Sequence, residues 1–217
     1  MRFYFVRHAE SVANANLKKI YGAGDQLSPR GNVQAIRLAE SLLRYSFDQI
    51  YSSPSLRALQ TVAPYLRSAK RRATVLPTCS EIPTQSSEKE GGIHGECCEW
   101  DERKHKKIDI PEEYRELFAL HGMFTTPTLR HESWGEAMQR VDLLLDYFTK
   151  WYGGSSLAVL LVSHGRLGRE LLSRLVGGRV EHPSNAGVWE LSGTSVPFSV
   201  DSTCPREDFP MERSPVL

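Results

Sequence analysis

Phe3-Tyr4-Phe5-Val6-Arg7-His8-Ala9-Glu10-Ser11 sets an apolar run directly before an Arg-His pair. The run predicts a strand over residues 2–6, and the pair then stands at its C-terminal end. Open α/β sheets bind their ligands at that end of the strands. A guanidinium there offers a planar, permanently charged fork suited to phosphate. An imidazole is neutral for a useful fraction of the time near pH 7, so it can attack an electrophile. Arg7 and His8 therefore read as a phosphate clamp beside a nucleophile, a reading that gains weight only from companions further along.

Outward from this stretch, strand and helix patterns alternate. Ala35, Leu38, Ala39 and Leu42 are spaced i, i+3, i+4, i+7 and predict a helix over 31–45. A short strand over 49–52 leads through the turn-prone Ser52-Ser53 into a helix over 54–66, and a third strand follows over 74–76. Ala137, Val141, Leu144, Leu145 and Phe148 line one face of a helix over 132–151, where Ser133 and Glu136 form a capping box and Gly153-Gly154 ends the run. Residues 157–163 are almost continuously apolar, as in a strand covered on both faces. A helix over 166–176 closes at Gly177-Gly178, and an edge strand follows over 187–191. Such alternation implies a largely parallel sheet with helices on both faces, a three-layer α/β fold in a single domain over residues 1–217.

Two segments break the alternation. From 81 to 131 polar residues dominate, with Gly91-Gly92, a charge-dense stretch over 99–107 and one helix over 111–120. This reads as an insertion over one edge of the sheet, either a solvated excursion or a lid that selects substrate. Beyond Pro197, residues 198–217 are rich in Pro, Ser and charge and read as a poorly ordered tail.

Lys and Arg total 27 against 26 Asp and Glu, a formal net charge of +1, so neither nucleic acid nor a membrane surface is expected as a partner. No apolar run reaches membrane-spanning length, and Arg2 and Arg7 interrupt the N-terminus, unlike a signal peptide. The four cysteines, Cys79, Cys97, Cys98 and Cys204, read as free thiols of a cytoplasmic protein. Cys79, His94, Cys97 and Cys98 contain no Cys-x-x-Cys pair, so no metal site and no cofactor is expected.

Further motifs accompany the first. Asn14 is followed by Leu27-Ser28-Pro29-Arg30-Gly31 ahead of a helix. Tyr51-Ser52-Ser53-Pro54-Ser55-Leu56-Arg57-Ala58-Leu59-Gln60-Thr61 follows, and Ser163-His164-Gly165 ends the apolar run 157–162. In this order, over residues 2–192, the chain resembles the histidine phosphatase superfamily, the phosphoglycerate-mutase-like enzymes. The resemblance implies an α/β sheet flanked by helices and a phosphohistidine formed during turnover. It implies that His8 is the nucleophile, that Arg7, Asn14, Arg57 and His164 bind the phosphate, with His164 also in the catalytic set, and that Glu81 is the general acid. Glu88, Glu90 and Glu96 compete with Glu81 for that role.

Each assignment has a structural alternative. Arg7 and His8 alternatively read as a surface pair, Arg57 as a helix cap or ion-pair partner, His164 as a buried turn residue, Asn14 as a loop cap and Glu81 as an ordinary loop carboxylate, and the order of the motifs favours the functional reading of each. Ser28 reads as a helix N-cap without chemical role, Glu10 as a residue that orients the site, and Asn185-Ala186 as part of the pocket wall.

Phosphoglycerate mutases of this family carry a Phe-x-Gly-Trp-like stretch. The corresponding Lys18-Lys19-Ile20-Tyr21-Gly22-Ala23-Gly24-Asp25 lacks the tryptophan. Lys106-Lys107-Ile108-Asp109-Ile110-Pro111 is similar to the mutases' basic insert, but lysine cannot give arginine's bidentate grip. The expected activity is therefore that of a histidine acid phosphatase-like phosphomonoesterase on a small phosphorylated metabolite. The alternatives are a phosphoglycerate mutase-type phosphotransferase and a non-catalytic phosphate- or phosphoprotein-binding module. A homodimer is one of the assemblies the family uses.

Overall fold

The computed structural model describes residues 1–15, 25–82, 110–121 and 132–204. Among these, the strands are β1 (Arg2–Arg7), β2 (Gln49–Ser52), β3 (Ala73–Val75), β4 (Phe118–Leu120), β5 (Ala158–Ser163), β6 (Val188–Ser192) and β7 (Ser199–Cys204). The helices are α1 (Val12–Ala15), α2 (Pro29–Leu42), α3 (Leu56–Ala69), α4 (Trp134–Tyr152) and α5 (Gly165–Val176). The strands form one sheet in the order β4-β3-β2-β5-β1-β6-β7. From β4 to β1 every pairing is parallel, while the β1–β6 and β6–β7 pairings are antiparallel.

Register is what positions the site. Arg7 pairs with Ser163 and Ser52 with Val162, so β1, β5 and β2 end level. The next residues continue the ladder: His8 N–H donates to Ser163 O (2.8 Å) and Ser53 N–H to Val162 O (2.9 Å). Three separate segments thus deliver His8, Ser53 and His164 side by side.

Alternate residues of each central strand serve opposite layers. Tyr4, Val6, Leu160 and Val162 pack with Leu38 and Leu42 of α2 and with Leu59, Val62 and Leu66 of α3. Phe3, Phe5, Val159 and Leu161 pack with Val141, Leu144 and Phe148 of α4 and with Leu167, Leu171 and Leu172 of α5. Burial on both faces accounts for the unbroken apolar runs of β1 and β5, and each such side chain contributes roughly 1.5–3 kcal/mol. The helices start and stop by local chemistry. Ser28 Oγ accepts the Gly31 N–H (2.9 Å), the Ser133–Glu136 capping box is formed, and Gly177 closes α5 at φ 67°.

Two expectations are corrected. No helix occupies 111–120: a 3-10 turn at Glu112–Tyr114 leads into β4, which pairs with β3. The exposed edge of β3 decides the outcome, because Ala73 N–H needs an acceptor and finds Leu117 O (2.9 Å), while His121 N–H reaches Val75 O (3.1 Å). Nor is residue 198 the start of a tail. Phe198 is buried, its N–H donates to Leu175 O (2.7 Å), and β7 then covers β6, which is not the edge strand. The remainder of the expected tail (205–217), most of the expected insertion (83–109 and 122–131) and residues 16–24 lie outside the described residues, and with them His94, Cys97 and Cys98.

Candidate active site

At the level C-terminal ends of β1 and β5, two imidazoles face one guanidinium. The His8 and His164 ring centroids are 5.2 Å apart at 65°. Arg57, the second residue of α3, lies between them: its Nε donates to His8 Nε2 (3.1 Å), and its Nη2 lies 3.1 Å from His164 Nδ1. All three are almost fully buried (Arg57 2%, His8 3% and His164 0% exposed). The N-terminus of α3 is tied to this point by Thr61, whose Oγ1 donates to Arg57 O (2.6 Å) and accepts the Ala9 N–H (2.9 Å).

The partners fix both tautomers. His8 Nδ1 is 2.7 Å from Ala9 O, and a carbonyl only accepts, so Nδ1 carries the hydrogen and Nε2 the lone pair. Arginine only donates, so His164 Nδ1 carries a lone pair, and its Nε2–H donates to Ser53 Oγ (2.7 Å), with Ser55 Oγ at 3.3 Å. Each ring thus turns a lone pair toward Arg57.

The electrostatics agree. Burial, then the charges of Arg57 and Arg7, hold His8 well below the usual histidine range, against a smaller upward pull from Ala9 O. Burial and Arg57 do the same to His164, helped by His8, Arg7 and Arg140. The result is a cationic pocket holding two neutral imidazoles, one with its nucleophilic nitrogen oriented.

Arg7 lies on the rim. Its Nη1 donates to Pro183 O (2.9 Å) and is 3.2 Å from His182 Nδ1. Asn14 Oδ1 accepts the Ser11 N–H (3.2 Å) and Asn185 Nδ2 (3.1 Å), and the same Asn185 amide donates to His8 O (2.9 Å). Asn185 thus ties Asn14 to the backbone of His8. Glu81 is buried, and its carboxylate receives the first turn of α5: Oε1 accepts Leu167 N–H (3.0 Å) and Ile82 N–H (3.0 Å), and Oε2 accepts Arg166 N–H (3.3 Å). Because α5 starts directly after His164, this anchor holds Glu81 beside the pocket. Glu88, Glu90 and Glu96 lie outside the described residues.

The structure therefore brings His8, Arg57 and His164 into direct contact, has Arg7 next in chain to His8, links Asn14 to the His8 backbone through Asn185, and anchors Glu81 on the first turn of the helix that follows His164. Glu10 does not join them: it accepts Ser28 Oγ (2.7 Å) and pairs with Arg30 (3.4 Å), fixing the start of α2. Gly31 allows that approach, since a Cβ there would sit 1.9 Å from Glu10 O. Sequence reasoning missed Ser53, which sets the His164 tautomer. It also missed His182, whose ring rests on Gly165 so closely that a Cβ would be 2.0 Å from Cε1. Burial and Arg7 lower the His182 pKa, while the charge of Glu81 raises it, so His182 feels both the rim arginine and the buried carboxylate. Its signal was the antiparallel return of β6, which sets 182–186 across from Arg7 and His8, and antiparallel pairing carries no local signature.

Among the described residues, no cluster of His, Cys, Asp and Glu could hold a metal ion, and no helix is long and apolar enough to cross a membrane.

A layered α/β sheet whose central parallel strands end at two imidazoles and a buried guanidinium is the build of a phosphoryl-transfer enzyme. Comparison with known proteins gives the family: the histidine phosphatase superfamily (branch 1) profile matches residues 3–202, and the chain belongs to that superfamily. A Hydrogenobacter thermophilus protein provisionally named phosphoserine phosphatase 2 is 30% identical over 200 residues, covering 88% of each chain. Among solved structures, the alpha-ribazole phosphatase of Shigella flexneri aligns with TM-score 0.63 and 20% identity, over 94% of this chain and 96% of that one. A histidine-to-alanine variant of Entamoeba histolytica phosphoserine phosphatase bound to phosphoserine aligns with TM-score 0.61 and 22% identity, over 93% and 95%. A mycobacterial glucosyl-3-phosphoglycerate phosphatase aligns with TM-score 0.62 and 22% identity, over 93% and 97%.

Proposed function

We propose that the chain hydrolyses small phosphomonoesters by passing the phosphoryl group to His8 Nε2 and then to water. The observation that carries this reading is the Arg57 bridge. Its N–H donors point at two nitrogen lone pairs, and an incoming phosphate oxygen is a stronger, charged acceptor for the same donors. Drawing the guanidinium onto the phosphate exposes the His8 lone pair to the phosphorus. Arg7 and the Asn14 amide complete the clamp, and catalysis is then mostly positioning and charge stabilisation.

In the first half-reaction the His8 Nε2–P bond forms, the P–O bond to the leaving group breaks, and Glu81, acting as the general acid, gives a proton to the departing oxygen. The Nδ1–H bond to Ala9 O steadies the charge that His8 gains. In the second, water attacks the phosphorus, Glu81 takes its proton, and the N–P bond breaks to restore His8 and release orthophosphate. His164 Nδ1 has no hydrogen to offer an anion, so it takes up a proton as the phosphate binds, its negative charge offsetting Arg57 and Arg7.

The proteins named above as phosphatases of phosphoserine and of glucosyl-3-phosphoglycerate make a phosphomonoester close to a carboxylate the first substrate class to try. A cytoplasmic location and a homodimer belong to the same reading, and cell fractionation and light scattering test them. The decisive experiment quenches the protein with acid-labile adduct detection after mixing with labelled substrate. An acid-labile, base-stable phosphoenzyme in the wild type that disappears in His8→Ala is expected. Orthophosphate release without any such adduct would overturn the mechanism, and binding without release would identify a binding module.

A further inference from the structure

We infer that Arg140, locked by Glu132, is the positioning residue that sets Glu81 for proton transfer; the inference rests on the proposed role of Glu81 as the proton donor. Arg140 lies in α4. Both partners are buried, with side chains 6% and 0% exposed. Arg140 Nε donates to Glu132 Oε1 (2.6 Å) and Nη2 to Glu132 Oε2 (2.6 Å), a two-point fork. The other donors leave α4 for the segment before the general acid: Nη1 reaches Thr78 O (2.7 Å) and Ser80 O (2.8 Å), and Nη2 reaches Glu81 O (3.2 Å). A guanidinium has five N–H groups, and these bonds number one for each.

The carbonyl between them is also held, since Ser163 Oγ in β5 donates to Cys79 O (2.7 Å). Four consecutive carbonyls, 78 to 81, are thus pinned from one helix and one strand, while the Glu81 carboxylate is pinned by the first turn of α5. The backbone of the segment and its carboxylate end are fixed independently, the first from α4 and β5 and the second from α5.

Stability alone does not call for this arrangement. A buried ion pair is often no more stabilising than apolar residues of equal volume. A planar fork that reaches three backbone carbonyls has no apolar or lysine equivalent, because an ammonium is a compact point donor. The capping box at Ser133–Glu136 starts α4 without help from Glu132, so helix nucleation does not explain Glu132 either.

The test measures kcat/KM for an alkyl phosphomonoester and for p-nitrophenyl phosphate, whose leaving group needs little protonation. The variants are Arg140→Lys, Glu132→Gln, Glu81→Gln and the Arg140→Lys/Glu81→Gln double mutant. Misplacing a catalytic group by about 1 Å costs on the order of a hundredfold. Arg140→Lys should therefore lose about tenfold or more on the alkyl ester beyond its loss on p-nitrophenyl phosphate, and Glu132→Gln should show the same selectivity with a smaller loss. The double mutant should be no slower on the alkyl ester than Glu81→Gln, because both substitutions remove one function. If Glu81→Gln is selective for the alkyl ester but neither clamp variant is, the positioning role is refuted while the proton donor stands. If Glu81→Gln slows both substrates equally, the assignment of Glu81 falls and the inference falls with it. Should Arg140→Lys not fold, Glu132→Gln decides.

Discussion

Two neutral histidines sealed around an arginine tie the stability of this protein to pH. In the unfolded chain His8 and His164 titrate near pH 6.5, whereas in the folded protein burial and Arg57 keep both uncharged to well below that. Between the two values the unfolded chain binds more protons, so stability falls as pH falls below about 6.5 and is unaffected by these groups above it. Each group changes stability by about 1.4 kcal/mol per pH unit across that window. The two losses act in the same direction, so the acid limb erodes a sizeable share of the roughly 5–15 kcal/mol typical of a domain. Urea denaturation at pH 7.5, 6.5, 5.75 and 5.0 measures it, with the wild type compared to His8→Asn and His164→Asn so that carboxylate titration cancels. Each variant should flatten the acid limb by about one proton's slope, whatever its effect on stability at pH 7.5. An acid limb of equal slope in all three proteins would show that the folded histidines charge as readily as unfolded ones, and the sealed neutral pocket would be refuted.

Three other outcomes follow from the same geometry. Vanadate or phosphate binding at pH 7.5 should take up a fraction of a proton approaching one, read by calorimetry in buffers of different ionisation enthalpy, and His164→Asn should abolish the uptake. Arg57→Lys should lower kcat/KM by on the order of a hundredfold or more, because lysine cannot serve the phosphate as a planar fork; a loss under tenfold would place Arg57 outside the clamp. Gly168→Ala and Gly165→Ala should part ways in thermal melts: the first drives a Cβ to 2.2 Å from the buried Phe5 ring and should cost about 1–3 kcal/mol, whereas the second meets His182, which can swing outward, and should change KM with a smaller stability loss.

Much of the frame was legible because it is written in local periodicity. The apolar runs of β1 and β5 mark strands covered on both faces, and His8 and His164 follow directly at their ends. The Ser133–Glu136 spacing announces the start of α4, and Ala35 to Leu42 show the inward face of α2. What stayed hidden depends on partners distant in sequence. Residues 118–120 and 199–204 become strands because β3 and β6 offer unpaired edges, which tertiary context supplies and propensity does not. Glu132 read only as the first residue of a helix, since nothing local shows that Arg140 will reach across to residues 78–81. His182 was invisible because its neighbour, Arg7, is 175 positions away. Lys18 to Gly24 and Lys106 to Asp109, on which the contrast with the mutases rests, lie outside the described residues.

Arg57 covers the lone pair through which His8 would react. At rest that nitrogen is occupied by the Arg57 N–H. Only a species negative enough to pull that guanidinium aside uncovers the reactive atom. The pocket is in effect armed by its own substrate, and chemical modification of His8 by uncharged reagents should be slow until an oxyanion too poor to react has been added.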